Sequence, residues 1–175
     1  MTAGRPPCSA PRPISPDDRL GRFDCGHPAL NDFLRKRALG NEGKASRTYV
    51  VLSRDGEVVA YYTLATGGVD HGDAPGALER NMPNPLPVMV LGRMAVDLRL
   101  ARKGLGKGMM REAMQRVLEA SVSIGARAMV VHAVDDEAVA FYTPFGFQAF
   151  PAGGRTLFLP IETLAAALRK SIPPR

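Results

Sequence analysis

The chain has 175 residues, enough for a core of its own, and its 45 % hydrophobic and 23 % charged residues are the balance of an ordinary globular protein. Its apolar runs are too short to cross a bilayer, its opening residues lack a basic-then-apolar signal arrangement, and two cysteines make a structural disulfide improbable, so a cytoplasmic protein is expected. The formal charge of +6 leaves two readings open: an anionic partner such as nucleic acid or a nucleotide, or a general preference for Arg.

Residues 1–16 contain five prolines and no hydrophobic periodicity, which predicts a flexible tail ahead of one domain over residues 17–170. Residues 28–39 fit a helix, with Leu30, Phe33, Leu34 and Ala38 on one face and Gly40 closing it. Residues 48–52 and 58–65 are β-rich, and the Asp55-Gly56 between them is a hairpin signal. A loop is predicted over residues 67–85, from four glycines and three prolines, before a buried strand at 88–96.

A glycine-rich turn at residues 103–108 then opens a long helix, whose apolar positions Met109, Met110, Ala113, Met114, Val117 and Leu118 recur three and four apart. A strand at 128–132, a short helix at 137–143 and a strand at 156–159 complete the pattern. The order predicts an α+β or α/β protein, a sheet of mixed direction with helices on its faces.

Glycines between a strand and a helix let main-chain N–H groups converge on an anion, and the helix N-terminus adds partial positive charge. Arg102, Lys103 and Lys107 add formal charge around this turn. The spacing is neither a P-loop, since no Gly-Lys-Ser/Thr closes it, nor a dinucleotide fingerprint, being one residue short of G-x-G-x-x-G. By itself it is equally a simple helix entry.

Gly104-Leu105-Gly106, with Leu91-Gly92-Arg93-Met94-Ala95-Val96-Asp97 upstream and Ala138-Val139-Ala140-Phe141-Tyr142-Thr143-Pro144-Phe145-Gly146-Phe147 downstream, resembles the GNAT acetyltransferase superfamily in motif order and spacing. The resemblance covers roughly residues 19–159 and departs at Ala101, where the family often carries Gln or Arg. It implies the GNAT fold: a central mixed, mostly antiparallel sheet with a V-shaped splay between two parallel strands, flanked by helices. It also implies acetyl-CoA as cosubstrate and no metal. The pantetheine arm would lie in the V against Met94, Ala95 and Val96, the pyrophosphate on the amides of Arg102, Lys103, Gly104, Leu105, Gly106 and Lys107, and Phe141 beside the cofactor.

The resemblance makes Tyr142 the general acid. A phenol of pKa about 10 can donate to a departing thiolate whose conjugate acid lies near 8.5; the other reading is a ring that only packs against the cofactor. Many relatives carry a Glu on the strand corresponding to 88–96, but here no carboxylate precedes Asp97. Water could carry the acceptor's proton away, or the amine needs little help, as an α-amine at about 7.7–8.0 does compared with Lys at about 10.4. Glu79, Asp135 and Glu137 stay open as bases. His132 reads as structural, and His27 and His71 show no metal-ligand spacing.

Phe23-Asp24-Cys25-Gly26, Leu30-Asn31-Asp32-Phe33-Leu34, Ser46-Arg47-Thr48, Tyr61-Tyr62-Thr63-Leu64-Ala65, Arg80-Asn81-Met82-Pro83 and above all residues 87–97 are similar to a narrower group, the acetyltransferase toxins of bacterial toxin–antitoxin pairs. That likeness implies acetylation of the α-amine of aminoacyl-tRNA, blocked translation, a homodimer and a ribbon-helix-helix antitoxin. Arg35, Lys36, Lys44, Arg47, Arg80 and Arg93 are then candidates for tRNA phosphates. Alternatively, Arg35 and Lys36 form a solvated face and Arg93 pairs with an internal carboxylate. Phe23 and Phe33 read as core, and no aromatic interleaving for stacked bases is present. The competing functions are an acetyltransferase of small amines or protein N-termini, and a degenerate acetyl-CoA binder.

Overall fold

Alternation along β-branched runs gives seven strands, and the computed structural model, which describes residues 8–170, hydrogen-bonds them in one order, β1-β2-β3-β4-β5-β7-β6. The elements are β1 (Arg12–Pro13), α1 (Pro28–Lys36), α2 (Ala38–Asn41), β2 (Arg47–Leu52), β3 (Val58–Val69), α3 (Gly76–Glu79), β4 (Leu86–Val96), α4 (Leu105–Ser123), β5 (Ala128–His132), α5 (Asp136–Tyr142), β6 (Gln148–Ala149), β7 (Thr156–Pro160) and α6 (Ile161–Lys170). The chain forms two compact units. The first is the segment up to Thr63 with Arg93–Met110; the second is Leu64–Gly92 with everything from Arg111. Among the described residues, no helix is long and apolar enough to cross a membrane.

In the first unit, β1 pairs antiparallel with β2, Arg12 opposite Val50 and Pro13 opposite Tyr49. This differs from the predicted tail: within residues 8–16, Arg12–Pro13 form a strand and Ile14 is buried, while residues 1–7 lie outside the described part. Two forces hold the segment despite its prolines. Ile14 enters the core, and Arg12 pairs with Asp18 at 2.5 Å. Proline, lacking an N–H, is tolerated because β1 ends the strand order.

Pro28 starts α1 with the φ that a first helical position needs. The predicted helix over 28–39 is broken at Arg37, whose φ of −124° leaves the helical range. A second turn, α2, follows and carries Ala38 fully into the core. That core joins Phe23, Phe33, Leu34, Ala38, Val50 and Tyr61. Phe33 stacks on Tyr61 with centroids 6.1 Å apart, Phe23 meets the same ring edge-on at 5.6 Å, and the Tyr61 hydroxyl donates to the Leu30 carbonyl at 2.7 Å.

In the second unit, β4 and β5 are parallel from Val88–Ala128 to Leu91–Val131, and β7 runs antiparallel to both β5 and β6. The C-terminal helix α6, which the sequence reading left unassigned, is fixed by Leu164 in the core and by Arg127, bonded to both Glu162 oxygens at 2.7 and 2.8 Å. The glycines at 67 and 68, read as loop, belong to β3. Their missing side chains are the reason: a Cβ on Gly67 would stand 2.8 Å from Val90 Cγ2, and one on Gly68 would stand 3.0 Å from Pro85 Cβ. Gly67→Ala is therefore expected to destabilise the fold by about 1–3 kcal/mol. Thermal melts would show it, and Val90→Ala in the same chain should restore part of the loss.

Candidate active site

The second half of β4 alternates: Ala95 is buried in the first unit's core, so Met94 and Val96 face the opposite side of the strand. Asp97 ends the strand, a 3-10 turn spans Leu98–Leu100, and the glycine-rich turn follows. Arg102 (φ 62°) and Gly104 (φ 83°) both take left-handed conformations. Gly104 does so without strain, Arg102 only against a steric cost. The ladder of α4 opens with Gly108 N–H donating to the Gly104 carbonyl at 3.2 Å, so the helix starts inside the predicted turn. The first-turn amides of Leu105, Gly106 and Lys107 precede that first helical bond. Arg102, Lys103 and Lys107 are exposed beside them. Bent backbone, leading amides and three cations fit a diphosphate.

In the second unit, Tyr142 ends α5, a helix capped by the Asp135 carboxylate, which accepts the Ala138 N–H at 2.8 Å. Gly146, at φ 105°, turns the chain back so that Phe147 meets the Tyr142 ring edge-on at 5.9 Å. Phe141 lies against Tyr142 at 5.3 Å and against Phe145 at 5.5 Å. Tyr142 is 4 % exposed, and burial raises its phenol pKa above the ordinary value, so the hydroxyl keeps its proton at neutral pH.

The carboxylates open as bases are differently placed. Asp135 is occupied as the helix cap, Glu79 accepts the Gly72 N–H at 2.5 Å, and Glu137 is exposed on α5. His132 Nδ1 lies 3.0 Å from Thr156 Oγ1, its cross-strand neighbour, and His71 Nε2 is 2.8 Å from the Pro83 carbonyl. Among the described residues, no cluster of three or more His, Cys, Asp or Glu could hold a metal.

Of the basic candidates, Arg93 sits with its guanidinium 3.9 Å from the centroid of Phe33 and so joins β4 to α1. The expected alternative for Arg93, an internal carboxylate, is not the partner observed. Arg35 donates to the Phe23 carbonyl, Lys36 pairs with Asp32 at 3.5 Å, and Arg47 pairs with Glu42 at 3.4 Å. Lys44, in the first unit, and Arg80, in the second, are exposed.

The sequence reading missed the hub of the first unit. Asp97, 2 % exposed, accepts bonds from the Asp24 N–H and from the main chain and side chain of Arg99. Arg99 also reaches Glu57 at 3.2 Å, and Glu57 holds Arg22 at 3.3 Å. Asp24 in turn accepts from Gly26 N–H and the Asn31 amide, which accounts for the Asp24-Cys25-Gly26…Asn31 pattern. An acidic residue two before an arginine was the only signal in the sequence.

These bonds lower three carboxyl pKa values: Glu57 through Arg99, Asp24 through Gly26 and Asn31, and Asp97 because the bonds from Arg99 and Asp24 outweigh a burial effect that pushes upward. A depressed pKa stabilises the fold above the unfolded value, about 3.9–4.3, and that contribution disappears as pH falls through the folded value. The melting temperature should therefore hold steady from pH 7 down to about 5 and drop below about 4. Asp97→Asn should start lower at pH 7 and decline less steeply on acidification.

The acetyltransferase (GNAT) family profile matches residues 14–147, across both units. The chain is 46 % identical over 160 residues to a tRNA-acetylating toxin of Mycobacterium tuberculosis, covering 91 % of this chain and 96 % of that protein. The solved structure of AtaT complexed with acetyl-methionyl-tRNAfMet superposes with a TM-score of 0.81 at 28 % identity, over 90 % of this chain and 97 % of the other. A tyrosine-to-phenylalanine variant of AtaT, solved with the C-terminus of the antitoxin AtaR and acetyl-CoA, gives 0.77 at 27 % identity over 91 % and 97 %. With the family profile spanning residues 14–147 and 46 % identity to a tRNA-acetylating toxin, this chain belongs to the acetyltransferase (GNAT) family, and it is an acetyl-CoA-dependent enzyme.

Proposed function

We propose that the chain is the toxin of a toxin–antitoxin pair, transferring acetyl from acetyl-CoA to the α-amine of aminoacyl-tRNA and so blocking translation. The observation that carries the choice of acceptor is the absence of any carboxylate along β4, with Glu79 and Asp135 already engaged by main-chain N–H groups. An amine that must be deprotonated by the enzyme would need such a base. An α-amine next to an ester is neutral in good part at pH 7–8 without one. The 46 % identity to a tRNA-acetylating toxin supports the same reading.

In this reading the backbone of Met94, Ala95 and Val96 binds the pantetheine arm. The amides of Arg102, Lys103, Gly104, Leu105, Gly106 and Lys107 hold the diphosphate, and Phe141 packs beside the cofactor. The thioester supplies an activated acetyl group. The neutral amine attacks its carbonyl carbon, the C–S bond breaks, and Tyr142 donates its hydroxyl proton, or a hydrogen bond, to the departing sulfur. The amine's proton passes to water, and where Tyr142 has given up its own proton it takes one back from water, so the products are the N-acetyl amine and the free thiol.

For tRNA, Lys44 and Arg80 are exposed cations, and Lys36 and Arg47 hold only surface ion pairs that phosphates can displace. Arg93 offers a guanidinium backed by Phe33, whereas Arg35, bonded to Phe23, supports the loop before α1 and contributes charge from there. A ribbon-helix-helix antitoxin, a homodimer and a cytoplasmic location complete the proposal. The AtaT structure with its antitoxin supports an antitoxin partner.

The direct test incubates purified protein with labelled acetyl-CoA and total charged tRNA, then deacylates the tRNA. Label that leaves with the amino acid is the expected result. Label that stays on the deacylated tRNA, or that appears only on small amines or protein N-termini, overturns the assignment.

A further inference from the structure

We infer that Asp97 is a positioning residue for the diphosphate of the cosubstrate, acting through Arg99 on the path of the turn; this rests on the reading of residues 102–107 as the diphosphate seat. Asp97 is the last buried residue before that seat. Its N–H donates to the Val59 carbonyl at 2.8 Å, and its own carbonyl accepts the Leu100 N–H at 2.9 Å. Its carboxylate is satisfied by four donors. Oδ1 accepts Arg99 N–H and Nε at 2.9 Å each, and Oδ2 accepts Arg99 Nη2 at 3.0 Å and Asp24 N–H at 3.1 Å. Charge-assisted bonds in this fork geometry fix direction as well as distance.

Two consequences bear on the turn. Arg99 lies just before the cations of the phosphate seat in sequence, and its charge is turned back onto Asp97 and Glu57. The anion is thereby left to Arg102, Lys103, Lys107 and the main chain. The second consequence concerns strain. Arg102 holds a left-handed conformation that a side chain with a Cβ disfavours. Such a residue keeps that conformation only where the surroundings over-determine it. The clamp on Asp97 ends two residues before Ala101 and sets the direction in which the chain leaves the 3-10 turn.

The experiment compares wild type with Asp97→Asn, Arg99→Ala and Gly104→Ala. Calorimetry measures coenzyme A affinity, and kcat/KM is measured for acetyl-pantetheine, a thioester without the diphosphate. Asp97→Asn and Arg99→Ala should weaken coenzyme A by about tenfold or more and leave acetyl-pantetheine within about twofold. Equal losses on coenzyme A and on acetyl-pantetheine, or no loss on either, overturn the positioning role. If Asp97→Asn fails to fold, Arg99→Ala decides, since it leaves Asp97 its main-chain donors. Gly104→Ala separates the two layers. Unchanged coenzyme A affinity there sinks the seat itself, and the inference with it. A loss there without one in the other two variants sinks the positioning role alone.

Discussion

Tyr142→Phe is expected to lower turnover by about 10²–10⁴-fold, the range that one positioned proton donor supplies, while coenzyme A affinity and melting temperature stay close to wild type. Phenylalanine keeps the ring that packs edge-on against Phe141 and Phe147, so only the hydroxyl is removed. Burial raises the phenol's pKa, so the Tyr142 hydroxyl is protonated at neutral pH. Its acidity is then weaker than that of a free phenol, so in the proposed mechanism a strong hydrogen bond to the thiolate counts as much as complete transfer. The pH profile follows from this. kcat/KM should climb through the acceptor amine's pKa, which the ester holds below the about 7.7–8.0 of an ordinary α-amine, and show no decline from the phenol near neutrality. Single-turnover assays with labelled acetyl-CoA, paired with calorimetry, measure both quantities. A variant as fast as wild type would remove the acid role.

Phe33→Ala should cost about 3–5 kcal/mol of stability, the range for an aromatic lost from a packed core. Phe33 is 3 % exposed, stacks on Tyr61, and supports the guanidinium of Arg93. Phe33→Leu divides these roles. Most of the volume remains, so the stability loss should shrink to below about 1.5 kcal/mol, whereas the quadrupole under Arg93 is gone. If Arg93 is oriented by that ring, Phe33→Leu weakens binding of charged tRNA and leaves coenzyme A affinity unchanged. Denaturant melts and filter binding on the same preparations check the pair of outcomes. A leucine variant that binds tRNA like wild type would show Arg93 to be held by other contacts.

The parts of this fold legible in the sequence are those with period and punctuation on their side. The strand at 128–132 and the amphipathic face of α4 fall where the apolar spacing puts them. So does the Asp55-Gly56 reversal, with Gly56 at φ 80°. What stayed hidden has physical reasons. Gly67 and Gly68 read as loop because glycine punctuates turns, and only the proximity of Val90 and Pro85 explains them within a strand. The break at Arg37 depends on Ala38 finding space in the core, which no local pattern encodes. Arg12 and Ile14 gain their order from Val50 and Asp18, and Pro13 from Tyr49 across the strand pair. In the site, Tyr142 and the turn were visible as motifs. Asp97 and Arg99 were not, because a bond between residues two apart leaves no periodic trace.

The order in which the chain delivers its two units has a consequence during synthesis. The first unit needs Arg93–Met110, which leaves the ribosome only after Leu64–Gly92 has emerged, and Tyr142 lies later still, with its buttress at Phe147 and the β7 strand behind it. No N-terminal fragment ending before residue 142 carries both the anion-binding turn and the phenol. Under the role proposed for Tyr142, a nascent or truncated chain that stops short of residue 142 lacks its proton donor.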